Sequence, residues 1–209
     1  QGTTYSDGTP IPYISSWDEW TSATTGAYTY WLQDESLGYG KLYNLHALRG
    51  RHDDNPDTPN KQFAPDGWHV PSIVEMNYIS SLYNDTAEIN SYALKSTTGW
   101  INGTNGTNIS GLDIKPYGAI WEANNADRGF SSISGISQTD IMSLIGGYTV
   151  FWNSTPLTGN PLRANSAKYF TYEGQYDSNG FSYTPYLPGP VNYNDYFNSG
   201  FYVRLIKDY

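Results

Sequence analysis

The sequence predicts an α+β domain, with two short helices in its first half followed by many short strands between turns. Three observations support this. Ser16-Trp17-Asp18-Glu19 and Ser72-Ile73-Val74-Glu75 each place a Ser three residues ahead of a Glu, the spacing of a capping box at a helix start. Two Asn-Gly pairs, Asn102-Gly103 and Asn105-Gly106, predict tight turns with positive φ. Beyond Gly111, segments of strand length alternate with turn residues, and helices followed by strands is the α+β order rather than a βα alternation.

In chain order, residues 1–14 read as turn-rich and extended. The first helix is predicted over Trp17–Ala23, closed by Thr25-Gly26, and Ala27–Trp31 alternates like a strand. Tyr39–Leu48 is the next ordered segment, strand or mixed. Arg49–Gln62, with Asp53, Asp54, Asn55, Pro56, Asp57, Pro59 and Asn60, is predicted to be a long polar loop.

Residues 63–79 organise the rest. Pro65-Asp66-Gly67 makes a turn, Trp68-His69-Val70 a short strand, and Pro71 stops it before the Ser72 cap. Ile73, Met76, Ile79, Ser80 and Tyr83 then recur at helical spacing, with Val74, Tyr78 and Leu82 expected to widen the apolar face. A helix over Ile73–Tyr83 follows. Strands are expected at Ile114–Trp121, Gly147–Asn153, Lys168–Tyr172 and Phe201–Ile206. Trp68, Trp100 and Trp152, each beside a strand or turn, are expected to anchor the core. Nothing reads as a linker, so one domain over residues 1–209 is expected.

Composition narrows the function. Eleven Lys+Arg against 20 Asp+Glu give a net charge of −9 with no basic stripe, which disfavours nucleic acid and anionic membrane surfaces. No apolar run approaches the roughly 20 residues of a membrane span. The absence of cysteine removes thiol catalysis and thiolate metal sites. Twenty Tyr, 7 Trp and 21 Gly, among many Ser, Thr and Asn, are the palette of recognition surfaces and equally of β-rich extracellular domains.

Six segments, taken in order, resemble the Fibrobacter succinogenes major paralogous domain family. Tyr39–Ala47 follows its Tyr-Gly-Lys-Leu-Tyr-Asn-Trp-Tyr-Ala segment, with Leu45-His46 in place of Trp-Tyr. Ala64–Met76 follows Ala-Pro-x-Gly-Trp-His-Val-Pro-(Ser/Thr)-Asp-x-Glu-Trp, with Ile73 for Asp and Met76 for Trp. Lys95–Trp100, Thr107–Leu112, Phe151–Thr155 and Gly200–Leu205 supply the remaining four, the last with Leu205 where the family has Cys. The resemblance covers about residues 39–208 and leaves 1–38 as an N-terminal extension with the first helix. It implies a C-type-lectin-like single domain, with two helices, a twisted antiparallel sheet and long loops. It also implies an extracellular setting, on a bacterial surface protein or a phage fibre. Fold alone does not give activity.

The candidate sites are therefore read residue by residue. Enzymes of this broad fold need cysteines, which are absent, or a three-His iron site; His46, His52 and His69 show no ligand spacing. His69 is expected to be a buried, hydrogen-bonded core residue, and Glu75 a helix cap. Asp34, Glu35, Asp113 and Glu122 are the carboxylates from which a glycosidase pair could be drawn. Catalysis is not expected. Asp53, Asp54, Asn55 and Asp57 offer oxygen ligands suited to Ca²⁺, but match no calcium-loop spacing, and a solvated acidic loop is the preferred reading. No cofactor is expected.

Between Glu173 and Asn198 periodicity is lost, which predicts long loops presenting aromatics. Tyr176, Tyr183, Tyr186 and Tyr193 are the expected ligand contacts, with Trp121 from the middle of the chain. Retroelement-diversified proteins of this broad fold carry a C-terminal variable segment of similar composition. The expected function is a non-catalytic recognition module for a surface glycan or protein receptor, with assembly into a homo-oligomeric fibre as a further expectation. A structural cap or decoration domain is the alternative, and a carbohydrate-active enzyme the third.

Overall fold

A computed structural model describes residues 2–83, 92–120, 146–156, 165–171, 175–177 and 197–209, with the backbone path alone for 102, 156, 165–171 and 175–177. Within these residues the chain forms a mixed helix–sheet structure of short helices and small antiparallel sheets. The elements are α1 (Trp17–Thr21), β1 (Tyr28–Tyr30), β2 (Lys41–Tyr43), α2 (Leu45–Leu48), β3 (Trp68–His69), α3 (Ile73–Ser81), β4 (Tyr148–Pro156), β5 (Asn165–Thr171), β6 (Gln175–Asp177) and β7 (Ile206–Lys207). The sheets are β1-β2, β3-β7 and β4-β5-β6, all antiparallel.

The middle of the molecule is a three-residue stretch near the C-terminus, Gly200–Tyr202, that joins separate parts of the chain. Its Gly200 exchanges backbone hydrogen bonds with Ile120, at 2.9 and 3.0 Å, and its Phe201 with Tyr43 of β2, at 2.9 and 3.2 Å. Tyr202 N–H donates to Val150 of β4, and Trp152 N–H returns to the Tyr202 carbonyl. A Cβ at Gly200 would sit 3.1 Å from the Trp20 ring and 3.2 Å from Ile120, a tight fit that would push these side chains back by a few tenths of an ångström.

Side chains close around this stretch. Leu45, Ala119, Val150, Trp152 and Phe201 pack as one buried group, and Trp20, Ala27, Trp31, Leu42, Ile120 and Tyr202 as another. Tyr5 and Ile11 join Tyr43, Ala47 and Phe63, so residues before the first helix contribute to the core. Leu94, Trp100 and Ile114 form a group beside α3. Two of the buried indoles here are hydrogen-bonded: that of Trp152 donates to the Tyr43 carbonyl at 2.8 Å and that of Trp100 to the Ile114 carbonyl at 3.1 Å. Asn44, fully buried, caps α2 by accepting from Ala47 N at 3.0 Å, accepts from Ala27 N at 2.9 Å, and donates to Thr25 O.

Both predicted helices form, each one turn or less shorter than expected, and α3 has the full reciprocal capping box of Ser72 and Glu75. Tyr39–Leu48 is mixed, a strand turning into a helix at Asn44. The 49–62 loop is closed at its base by Gly50 and Lys61, whose backbones bond at 2.8 Å. β4 and β5 lie where strands were expected, and the predicted 114–121 and 201–206 strands are instead isolated bridges at Ile114, Gly118, Ile120 and Gly200–Tyr202, followed by β7.

Four expectations are corrected. Trp68 is 41 % exposed rather than a core anchor: β3 is two residues long, pairs among the described residues with β7 alone, and sets Trp68 opposite the exposed Lys207. Val74, Tyr78 and Leu82 do not widen the buried face of α3; they are 73, 64 and 58 % exposed, because the helix rests on the face carrying Ile73, Ile79 and Ser80. Gly106 has no positive φ; it is required for space, since a Cβ would lie 2.3 Å from the Lys95 carbonyl. Finally, β6 at Gln175–Asp177 pairs with β5 inside the stretch read as loop, so part of that stretch extends the sheet.

Candidate binding groove

Two glycines in left-handed conformation, Gly38 (φ 69°) and Gly40 (φ 84°), flank Tyr39 at the entry to β2. Their turn brings the Tyr39 ring onto that of Tyr117, stacked with centroids 4.3 Å apart and planes at 22°. Tyr117 belongs to a segment, 113–118, held at both ends. Ile114 bonds Leu94 and Ser96 through its backbone, and Gly118 N–H donates to Tyr148 O at 2.8 Å. The Tyr202 hydroxyl donates to the Tyr117 carbonyl at 3.1 Å, tying the stacked pair to the central stretch.

Between these pieces runs an open groove of about 520 Å³, within the size range of small-molecule sites. Its aromatic walls are Tyr39, Tyr43, Tyr117, Phe151 and Tyr202. Its polar groups are Lys41, Asp113, Lys115, Thr149 and Arg204. Lys115 Nζ is 3.5 Å from Asp113 Oδ2, Lys41 Nζ lies 5.5 Å from the Tyr30 ring centre, and Arg204 donates to the Leu112 carbonyl. Thr149 is 1 % exposed and its hydroxyl has no hydrogen-bond partner among the described residues. Burial, with neighbouring tyrosines, holds the Tyr202 phenol well above its ordinary value, so it stays a neutral donor. Rings for stacking and donors of fixed position are what a polar ring-shaped ligand requires.

None of the residues expected as ligand contacts has a described side chain. Tyr183, Tyr186, Tyr193 and Trp121 are outside the described residues, and of Tyr176 only the backbone is described, in β6. The groove residues were legible only in part: Tyr39-Gly40-Lys41 stood out as a motif, but nothing in the sequence brings Lys115 and Tyr117 to it. That pairing depends on the path of 113–118, fixed by Leu94, Ser96 and Tyr148.

Other candidates resolve differently. His69 is half-buried, not a core residue: its Nδ1 is 2.6 Å from Asp208 and its Nε2 3.0 Å from Glu75, and the side chain is 38 % exposed. The shallow strand that exposes Trp68 exposes His69 as well. Hydrogen bonds to Asp208 and Glu75 raise its pKa, while the Ser72 bonds lower that of Glu75. His46 is buried against Phe197, rings 5.0 Å apart, and burial, with Arg51 and Arg49 nearby, lowers its pKa to about 4. Asp34 caps the turn at Glu35–Leu37, Glu35 accepts from the Tyr30 hydroxyl at 2.7 Å, and Glu122 lies outside the described residues. In the 53–57 loop Asp53 and Asn55 accept backbone N–H groups two residues on, as turn formers do. Among the described residues no three His, Asp or Glu side chains converge as a metal site, and no helix is long and apolar enough to cross a membrane.

No curated protein and no solved structure matches this chain. The Fibrobacter succinogenes major domain model matches residues 1–207, taking in the N-terminal residues whose Tyr5 and Ile11 pack in the core, and the chain belongs to that family.

Proposed function

We propose that this chain is a non-catalytic extracellular recognition module of a bacterial surface protein or phage fibre, of C-type-lectin-like arrangement, that binds a glycan. The observation that supports it best is the groove where the stacked Tyr39 and Tyr117 meet Lys41, Asp113, Lys115 and Arg204. A pyranose ring presents an apolar face to aromatic rings and hydroxyls to polar groups, and this lining offers both. The Tyr-rich segment 172–196, with Tyr176, Tyr183, Tyr186 and Tyr193, and Trp121 remain the proposed outer contacts. Capped α1 and α3 beside small antiparallel sheets, and a C-terminal stretch returning to the middle, agree with the lectin-like arrangement. The roles of Asp34, Glu35 and Glu75 in turns and caps favour binding over hydrolysis. No bound cofactor is part of the proposal.

A glycan array probed with the purified protein tests it. At least one glycan is expected to bind, and Tyr117→Leu, which keeps apolar bulk but removes the ring, is expected to abolish binding with the melting temperature nearly unchanged. A blank array, or full binding by a stable Tyr117→Leu protein, would end the reading. The alternative, a cap domain contacting neighbouring copies, draws on the exposed Val74, Tyr78 and Leu82, and sizing of the protein separates it.

A further inference from the structure

The charge of the groove runs against that of the chain. Over the whole sequence 20 Asp+Glu outnumber 11 Lys+Arg. Among the described residues the groove is lined by three cationic side chains, Lys41, Lys115 and Arg204, and one carboxylate, Asp113, with the Lys41 ammonium lying over the Tyr28 and Tyr30 rings. Asp113 engages Lys115 at 3.5 Å, and both are more than a third exposed, so the contact neither consumes nor strongly fixes the ammonium. Arg204 spends one of its five N–H donors on the Leu112 carbonyl, which seats the guanidinium beside the 112–115 segment. Thr149 of β4 also lines the groove, and its nearly inaccessible hydroxyl has no hydrogen-bond partner among the described residues.

Resting on the glycan-binding reading, we propose that the groove selects an acidic sugar, a pyranose bearing a carboxylate, with Arg204 and Lys115 on the carboxylate and Tyr39 and Tyr117 against the ring. A guanidinium meets a carboxylate through two parallel N–H···O bonds, which fixes orientation as well as sign. The overall charge of −9 sets a second condition. A long polyanion would be repelled by the rest of the surface, whereas a single acidic residue at the end of a neutral chain places its charge only where the cations are. The expected ligand is therefore a neutral oligosaccharide ending in one uronic acid residue.

The test is a calorimetric titration with such an oligosaccharide, ending in glucuronic acid, and with its counterpart whose carboxyl has been reduced to a primary alcohol. The acid form is expected to bind about tenfold tighter, a difference of about 1.4 kcal/mol. That preference should shrink when ionic strength rises from about 0.01 M to about 0.15 M, as the screening length falls from about 30 Å to about 8 Å. It should vanish in R204Q/K115Q. R204K, which keeps the charge but loses the planar fork, should retain part of it and guards against a folding defect in the double variant. Equal binding of the two oligosaccharides, with sensitivity to Tyr117→Leu, overturns the acidic selectivity and leaves glycan recognition standing. Binding of neither overturns the selectivity, and together with a blank array it overturns the recognition reading as well.

Discussion

Two regions built from comparably strong sequence motifs have different fates. Tyr39–Leu48 runs into the centre of the molecule, where β2 bonds the Gly200–Tyr202 stretch and Asn44 holds three partners inside the core. Trp68–Leu82 lies at the rim. Its two-residue strand pairs with β7, and its helix turns Val74, Tyr78 and Leu82 outward. Each region has a well-formed cap and a large aromatic. What differs is the number of chain segments packed against each, and the composition of a motif does not encode that number.

The largest expected effect separates the two tryptophans. Trp152 is 1 % exposed, packs on Phe201 with centroids 4.3 Å apart, and donates to the Tyr43 carbonyl. Trp152→Ala is expected to destabilise by about 3–5 kcal/mol, the range for truncating a buried Trp. Trp68→Ala, with its ring 41 % exposed, is expected to cost under about 1 kcal/mol. Urea denaturation of both variants checks this, and equal losses would erase the distinction between centre and rim.

A middle-sized effect compares the caps. Asn44→Ala removes the cap of α2 and leaves the buried Ala27 N–H without its acceptor, and an orphaned buried group costs about 1–3 kcal/mol beyond the cap itself. Ser72→Ala removes a helix cap and a hydroxyl bond to Glu75 at a partly exposed site and orphans no buried group, for about 0.5–2 kcal/mol. Thermal unfolding of the two variants should therefore rank Asn44→Ala as the more damaging. The reverse order would mean that the α3 cap, not the centre, governs cooperative unfolding.

Much of this contrast was readable in residues, and its missing part has a physical cause. Ser16, Ser72 and Glu75 announced helix starts because capping is a local interaction between residues three apart. The 49–62 loop announced itself by its Asp, Asn and Pro content. Which face of α3 is buried was not local: Val74 and Leu82 are apolar like Ile73 and Ile79, and the position of Leu94, Trp100 and Ile114 decides between them. The groove was hidden for the same reason. Tyr39 and Tyr117 are 78 positions apart, and their stacking depends on where Gly118 bonds Tyr148. Long-range register, rather than propensity, carried the information that was missed.

The smallest expected effect is a pH dependence confined to the rim. His69 bridges Asp208, next to β7, and Glu75, at the start of α3, and so links the C-terminus to the helix. Its pKa is raised in the folded protein, chiefly by the Asp208 bond and then by Glu75. Stability from a raised histidine is fully present below its unfolded value of 6.5 and is lost as pH climbs through the folded value. Glu75 is shifted the other way, chiefly by Ser72, so its contribution is present above its unfolded value of 4.5 and is lost as pH falls through the lowered folded one. The two contributions overlap between pH 4.5 and 6.5. In that window the melting temperature of the protein should exceed that of His69→Gln by its widest margin, narrowing on both sides. The margin should be small, since the His69 and Glu75 side chains are 38 and 45 % exposed and solvent screens them. His46 carries the opposite sign: burial, with Arg51 and Arg49 nearby, lowers its pKa from 6.5 to about 4, so its contribution is full above 6.5 and is lost as pH falls toward 4, and the margin over His46→Gln should rise with pH with no maximum inside the window. A difference between the protein and His69→Gln that stays constant from pH 4 to pH 9 would show that His69 contributes packing and not charge, and that the rim is held without an ionic tie.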